Sequence, residues 1–391
     1  MEDDLPIPFG HRLRDWRRRR GLTQAELGSL AGYTGSQVSR IESGTRRVPT
    51  GFAERCEAIL RADGELMDTW LAAERRRARL ARPPARVEPS MVRAMSSIYD
   101  AYLRAEGQVD GGALLPALEA HLRALAGWRQ AAEGQVRTEV TRLSADFAYL
   151  AGWMRYDRGD SGAALAWYET ARGWAESVGY TDLASLSLAQ ASTVAWTRGD
   201  APRAVDLAGA AADRGRAAHP GIRAWAMIAK ARGHALMGEA SAYARTLDRA
   251  ETVAADGGDG EGPAWLQEPT FTVVLSLARG TAMRDLARLT RRPSAARIAA
   301  GELGLGTALM PAELRRDRIM VGARLADALG LAGEADQAGE LLAGLAATAA
   351  TIQSERVLGE FRAVCRRLMR VYGTSGALRD SGEALRVAGV V

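Results

Sequence analysis

Residues 21–44 read GLTQAELGSLAGYTGSQVSRIESG, and two helix-start signals with a glycine between them decide how this stretch folds. Thr23 and Glu26 have the spacing of a capping box, in which hydroxyl and carboxylate satisfy the backbone N–H groups that a helix start leaves without partners. Thr34 and Gln37 repeat the device. Gly21 ends any helix that precedes it, and Gly32 stands where a sharp turn calls for positive φ. Leu27, Leu30 and Ala31 supply apolar contacts for the first helix. Val38 and Ile41, at i and i+3, turn the second helix inward through about Ser43. Gly28, without a side chain, lets a neighbouring helix approach closely.

Working outward, Phe9, Leu13 and Trp16 share one face of a helix running from Phe9 to about Arg20. Downstream, Phe52, Cys56, Ile59 and Leu60 predict a helix over 51–60. Asp63 is placed to cap a further helix that contains Leu66, Trp70 and Leu71. The run Glu74-Arg75-Arg76-Arg77 leads into Ala81-Arg82-Pro83-Pro84, whose prolines read as a linker. From Phe9 to Pro49, arginines at 12, 14, 17–20, 40, 46 and 47 outnumber Asp15, Glu26 and Glu42 by six, more than the +5 of the whole chain. Such local charge attracts phosphate polyanions, although the arginine run alone also fits a solvated helix face.

The second helix of the opening stretch carries Ser36, Gln37, Ser39 and Arg40 at its start or on its outer side. Two capped helices and a tight turn, with polar side chains leading the second helix, are how a protein reads the major groove of double-stranded DNA. Over residues 8–72 the pattern resembles the phage-repressor-like helix-turn-helix family of Xre (Cro/C1) type. The matching residues are Gly21-Leu22-Thr23-Gln24, Glu26-Leu27, Ala31-Gly32, Ser39-Arg40-Ile41-Glu42 and Gly44. The resemblance implies a five-helix, lambda-repressor-like domain whose DNA-binding residues are Gln24, Thr34, Ser36, Gln37, Ser39, Arg40, Arg46 and Arg47. It also implies that Arg17 and Glu42 form a structural ion pair. Gly35 departs from the pattern, because relatives often carry a base-reading side chain there. Arg40 can pair with guanine or hold a phosphate, and the residues leave both open.

Beyond about residue 90 the periodicity is helical almost throughout, and a repeat emerges. Gly159-Asp160 is followed by Ala164, Tyr168 and Ala171. Gly199-Asp200 precedes Ala204, Ala208 and Ala211 at the same offsets, Gly238-Glu239 precedes Tyr243, Leu247 and Ala250, and Gly333-Glu334 precedes Ala338, Leu342 and Leu345. Arg291 fills the glycine slot ahead of Ala296, Ala300 and Leu303. Each unit predicts a helical hairpin that cannot bury its apolar face alone, so the units stack. The pattern resembles tetratricopeptide repeats with a longer period. The acidic, glycine-rich Asp256–Gly262 reads as a loop. The expected organisation is all-α: residues 1–80 a helix-turn-helix domain, 81–90 a linker, 91–372 a tetratricopeptide-like α-solenoid, and 373–391 a tail.

Together, the two parts resemble a class of actinobacterial regulators. Trp265-Leu266, Leu325-Ala326, Ala332-Gly333-Glu334 and Ser354-Glu355-Arg356-Val357 carry that likeness, and a lone lysine, Lys230, fits a GC-rich genome. A related architecture occurs in peptide-pheromone-sensing regulators, which implies a small-peptide or small-molecule effector in the concave groove. Tyr149, Trp153, Tyr156, Thr193, Trp196, Trp225 and Arg232, with Gln190 beside them, fall on the inner face of the first helices. They line a ligand site or simply fill the core.

The expected function is a sequence-specific, homodimeric transcription regulator; the alternative is a protein-docking scaffold with a secondary DNA contact. Two cysteines and four histidines without metal-ligand spacing give no support for a metal or cofactor, and no nucleophile–base pair marks an enzyme. Without a long apolar run or a signal segment, the chain is expected in the cytoplasm and off the membrane.

Overall fold

The computed structural model describes residues 9–81, 86–106, 111–255, 270–373, 376–387 and 389, and their regular structure is entirely helical. The chain divides into two units, Met1–Ala85 and Arg86–Val391.

In the first unit, α1 (Phe9–Arg19), α2 (Gln24–Ala31), α3 (Gly35–Glu42), α4 (Thr50–Leu60) and α5 (Glu65–Ala81) enclose a core that includes Leu13, Leu27, Val38, Ile41, Phe52 and Leu66. Both capping boxes form, and Gly32 ends α2 at φ +76°. A Cβ on Gly28 would lie 2.7 Å from the carbonyl oxygen of Tyr33, so the turn can fold back on α2 only over a glycine. Two expectations need correction. Leu30 is 59% exposed and sits outside the core. Asp63 does not cap α5; it takes φ +50° in the preceding turn. The Glu57 carboxylate on α4 instead accepts from the N–H groups of Gly64, Leu66 and Met67 at 2.9, 3.0 and 3.1 Å. A cap donated by another helix leaves no local sequence signal.

The second unit opens with α6 (Pro89–Ala105) and α7 (Gly111–Ala131). Six hairpins follow among the described residues. They are α8 (Gly134–Asp157) with α9 (Ser161–Ser177), α10 (Thr181–Thr197) with α11 (Ala201–Arg214), and α12 (Pro220–Leu236) with α13 (Ala240–Ala255). Then come α14 (Thr270–Thr290) with α15 (Pro293–Leu309), α16 (Arg315–Ala332) with α17 (Ala335–Ala349), and α18 (Glu355–Tyr372) with α19 (Gly376–Val387).

The turns inside the hairpins hold Gly159, Gly199, Gly238 and Gly333 at φ between +78° and +93°, where a Cβ is disfavoured. Arg291 occupies the same slot at φ +53°. The residues at the repeated offsets are buried, except Ala300 and Leu345, which are half-buried. Each first helix packs on the next, from α8 through α10, α12, α14 and α16 to α18, and α18 also returns to α8.

Residues 376–387, expected in a tail, form α19 instead. It lies against α17 with Leu378 and Leu385 buried on one face, completing the last hairpin. Pro83-Pro84, the Asp256–Gly262 loop and Trp265-Leu266 lie outside the described residues. Among the described residues no helix is long and apolar enough to cross a membrane.

Candidate nucleic-acid interface and repeat-unit cavity

The exposed start of α3 follows from its cap. Thr34 Oγ1 accepts from the Gln37 N–H at 3.3 Å, and Gln37 Oε1 accepts from the Thr34 N–H at 2.9 Å. This closed ring leaves Thr34, Ser36 and Arg40 exposed, with Gln37 and Ser39 half-buried. Arg40 Nε donates to the Ser36 carbonyl at 3.3 Å, which lays the guanidinium along the outer face of α3. The Arg40 carbonyl accepts from Ser43 Oγ at 3.2 Å and from Thr45 Oγ1 and the Arg46 N–H at 3.1 Å. Those bonds fix the turn that carries half-buried Arg46 and exposed Arg47.

Behind α3 lies a buried clamp. Arg17 Nε donates to Glu42 Oε1 at 2.5 Å, and Arg17 Nη2 donates to Oε2 at 3.0 Å. Burial opposes the charge on Glu42, but hydrogen bonds from Arg17, Gln24 and Arg14, and the Arg17 charge itself, hold its carboxyl below the ordinary 4.5. The bond to Glu42 in turn raises Arg17, against the opposing effect of burial.

Gln24, expected at DNA, donates to Glu42 Oε2 at 2.8 Å, so its amide nitrogen tethers α2 to α3. Several arginines of the basic run are also held by protein partners. Arg14 reaches Glu42, Arg12 reaches Glu65, and Arg20 donates to the carbonyls of Leu60 and Arg61. A Cβ on Gly35 would stand 3.1 Å from Ala25 Cα, so the open side of this glycine faces α2. Close packing of the two helices accounts for a glycine at this position.

In the second unit, Tyr156, Trp196 and Arg232 are buried, while Tyr149, Trp153, Gln190 and Trp225 are half-buried. Most of them meet protein. The Tyr149 ring lies 5.6 Å from that of Tyr168, and burial raises its phenol while a bond with Gln190 opposes the shift. Trp153 Nε1 donates to Glu106 at 2.7 Å. The Arg232 guanidinium stands over Trp196 and Trp225, 4.9 and 5.6 Å from their ring centroids, and donates to Thr193 at 2.8 Å. Burial, and then repulsion from Arg324, lowers Arg232 to about 10.

Tyr156 and Trp196 do line a cavity of about 460 Å³. Its other walls include Arg284, Asp285, Arg288, Arg356, Glu360 and Arg367, which sequence reasoning missed. Trp196 Nε1 donates to Asp285 at 3.0 Å, joining α10 to α14 across the interior. Glu360 accepts from Arg284 at 2.8 Å and from Arg324 at 2.7 and 2.8 Å. Burial opposes that carboxylate, but the two arginines hold it far below its ordinary range. The one available signal was an excess of arginines on first helices at positions where a solenoid buries its inner face.

Against known proteins, residues 8–70 match a family model described as a helix-turn-helix domain. No curated protein matches the chain. Among solved structures, the chain is similar to Bacillus thuringiensis PlcR in complex with the peptide PapR7 and DNA. The identity is 13% and the TM-score 0.34, over 76% of this chain and 94% of that one. The N-terminal unit therefore carries a helix-turn-helix domain, with α2 and α3 as its two helices and the start of α3 open to solvent.

Proposed function

We propose that the chain is a sequence-specific transcription regulator of Xre and actinobacterial type, in which α3 reads the major groove and the repeat unit pairs two copies and senses an effector. The observation that carries this reading is the outward edge of α3. Thr34, Ser36 and Arg40 are exposed there, on a helix held from behind by Arg17, Gln24 and Glu42. Polar side chains on a rigid support suit base recognition, and Arg46 and Arg47 beside them suit phosphate. A single reader makes few base contacts, so two readers on half-sites about 34 Å apart are expected.

Fluorescence anisotropy of labelled duplex DNA at two salt concentrations tests the proposal. Affinity should drop steeply as salt rises, because phosphate contacts release counterions. Binding that ignores salt, or no binding to any genomic fragment, would refute it.

A further inference from the structure

We propose that the cavity of the repeat unit is a receptor for a small organic anion, a carboxylate or phosphate on a compact apolar body, held by Arg288 and Arg367. This deepens the sensing part of the function proposed above and rests on it.

The arginines around the cavity fall into two sets. Arg284 and Arg324 are answered by Glu360 and Asp285. Arg288 and Arg367 share Asp327, and Arg288 also lies 3.8 Å from Asp285, a carboxylate that Arg284 already engages. Arg288 Nε donates to Asp327 Oδ2 at 2.9 Å, and Arg367 Nε donates to Oδ1 at 2.7 Å. Both oxygens of the fully buried Asp327 are engaged, and across the network Arg284, Arg288, Arg324 and Arg367 face only three carboxylates, Asp285, Asp327 and Glu360, which leaves one positive charge in excess. Each of the two guanidinium side chains keeps close to a third of its surface exposed, at the cavity wall. Burial, then repulsion from Arg284, lowers Arg288 against the opposing pull of Asp327 and Asp285. Guanidinium forks match the planar oxygens of carboxylate and phosphate alike.

The remaining walls set the body of the ligand. Trp196, Leu236, Ala363 and Val364 supply an apolar side. A volume of about 460 Å³ suits a small molecule. The inner face is not an open groove for an extended peptide, because Trp196 bridges to Asp285 and α18 returns to α8.

The test uses the full-length protein and three probes of similar shape: phenylacetate, phenyl phosphate and the neutral phenylacetamide. Thermal melting is followed at constant ionic strength over rising probe concentration. One or both anions should raise the melting temperature saturably and the amide should not; whichever anion acts distinguishes carboxylate from phosphate. Arg367→Gln leaves Asp327 paired with Arg288 and should weaken the effect about tenfold or more, as expected for the loss of a charge-assisted hydrogen bond.

Should that variant fail to fold, Gly359→Leu serves instead. It keeps every charge and adds bulk at the cavity wall, where a Cβ meets nothing within 4 Å. Stabilisation by neither anion, equal stabilisation by the amide, or an undiminished effect in the folded variant overturns the proposal. DNA binding is measured on the same samples. If it persists while the anions fail, only the anion site is lost; if it is absent without probes, the regulator reading itself fails.

Discussion

Asp157 and Ser354 stand 197 residues apart in the chain and 2.8 Å apart in space. Asp157 ends α8, and Ser354 caps α18 by accepting from the Val357 N–H. The same carboxylate accepts from Arg356 Nε at 3.2 Å and from Arg316 at 3.3 Å. Asp157→Ala strands the Arg356 guanidinium in the interior, while Arg316 keeps Glu106 at 2.7 Å, and should cost about 3 kcal/mol. Ser354→Ala removes a cap and should cost about 1 kcal/mol. Urea unfolding of the two variants measures the difference, and equal small costs would mean that the junction contributes little.

Arg40→Ala should reduce affinity for the protein's own operator by about 1–3 kcal/mol and affinity for random DNA by less. Competition anisotropy at fixed salt reads both values. Equal losses would show that Arg40 meets phosphate alone.

Arg291 holds φ +53° in a turn where the other hairpins have glycine. The left-handed conformation costs a side chain about 1–2 kcal/mol, while glycine adds about 0.5–1 kcal/mol of chain entropy. Arg291→Gly should therefore stabilise the repeat unit by about 0.5–1 kcal/mol, and Gly199→Ala should destabilise it by a similar amount. A drop in melting temperature for Arg291→Gly would reveal a side-chain contribution that outweighs the strain.

Glu42 has its carboxyl held below 4.5 in the folded chain. Its contribution to stability is fully present above its unfolded value. It fades as pH falls below 4.5 and through the lowered folded value. Arg17→Met removes the principal donor, so the acid-unfolding midpoint of the N-terminal unit should move to higher pH. Tryptophan fluorescence during acid titration, through Trp16 and Trp70, follows this directly, and an unmoved midpoint would leave Glu42 without a role in acid stability.

Removing residues 86–391 should weaken operator binding if the repeat unit pairs the readers. Sedimentation velocity on both forms, alongside anisotropy, separates pairing from folding. A truncated chain that binds as tightly as the full one would count against pairing through the repeats.

What could be read from the sequence was local. Thr23, Glu26, Thr34 and Gln37 announce two helix starts within a few residues of each other, and both caps form. Even the substitution of Arg291 for glycine was visible, because the offsets to Ala296 and Leu303 kept their register. What escaped depends on partners far along the chain. The bond from Gln24 to Glu42 has no local signal, since the two residues lie on different helices. Arg288 and Arg367 gave no local sign of a site, because nothing near either of them announces Asp327. The α19 helix was missed for a related reason: its apolar face, Leu378 and Leu385, is short and gains meaning only against α17.

The return of α18 to α8 also bears on how such a chain can evolve. An open solenoid tolerates duplication or loss of a hairpin, since each module touches only its neighbours. Here an extra hairpin would carry the residue that caps α18 away from the end of α8. The number of modules is thereby counted by geometry, and a change of side chain or of an outer helix disturbs the closure less than a change of length.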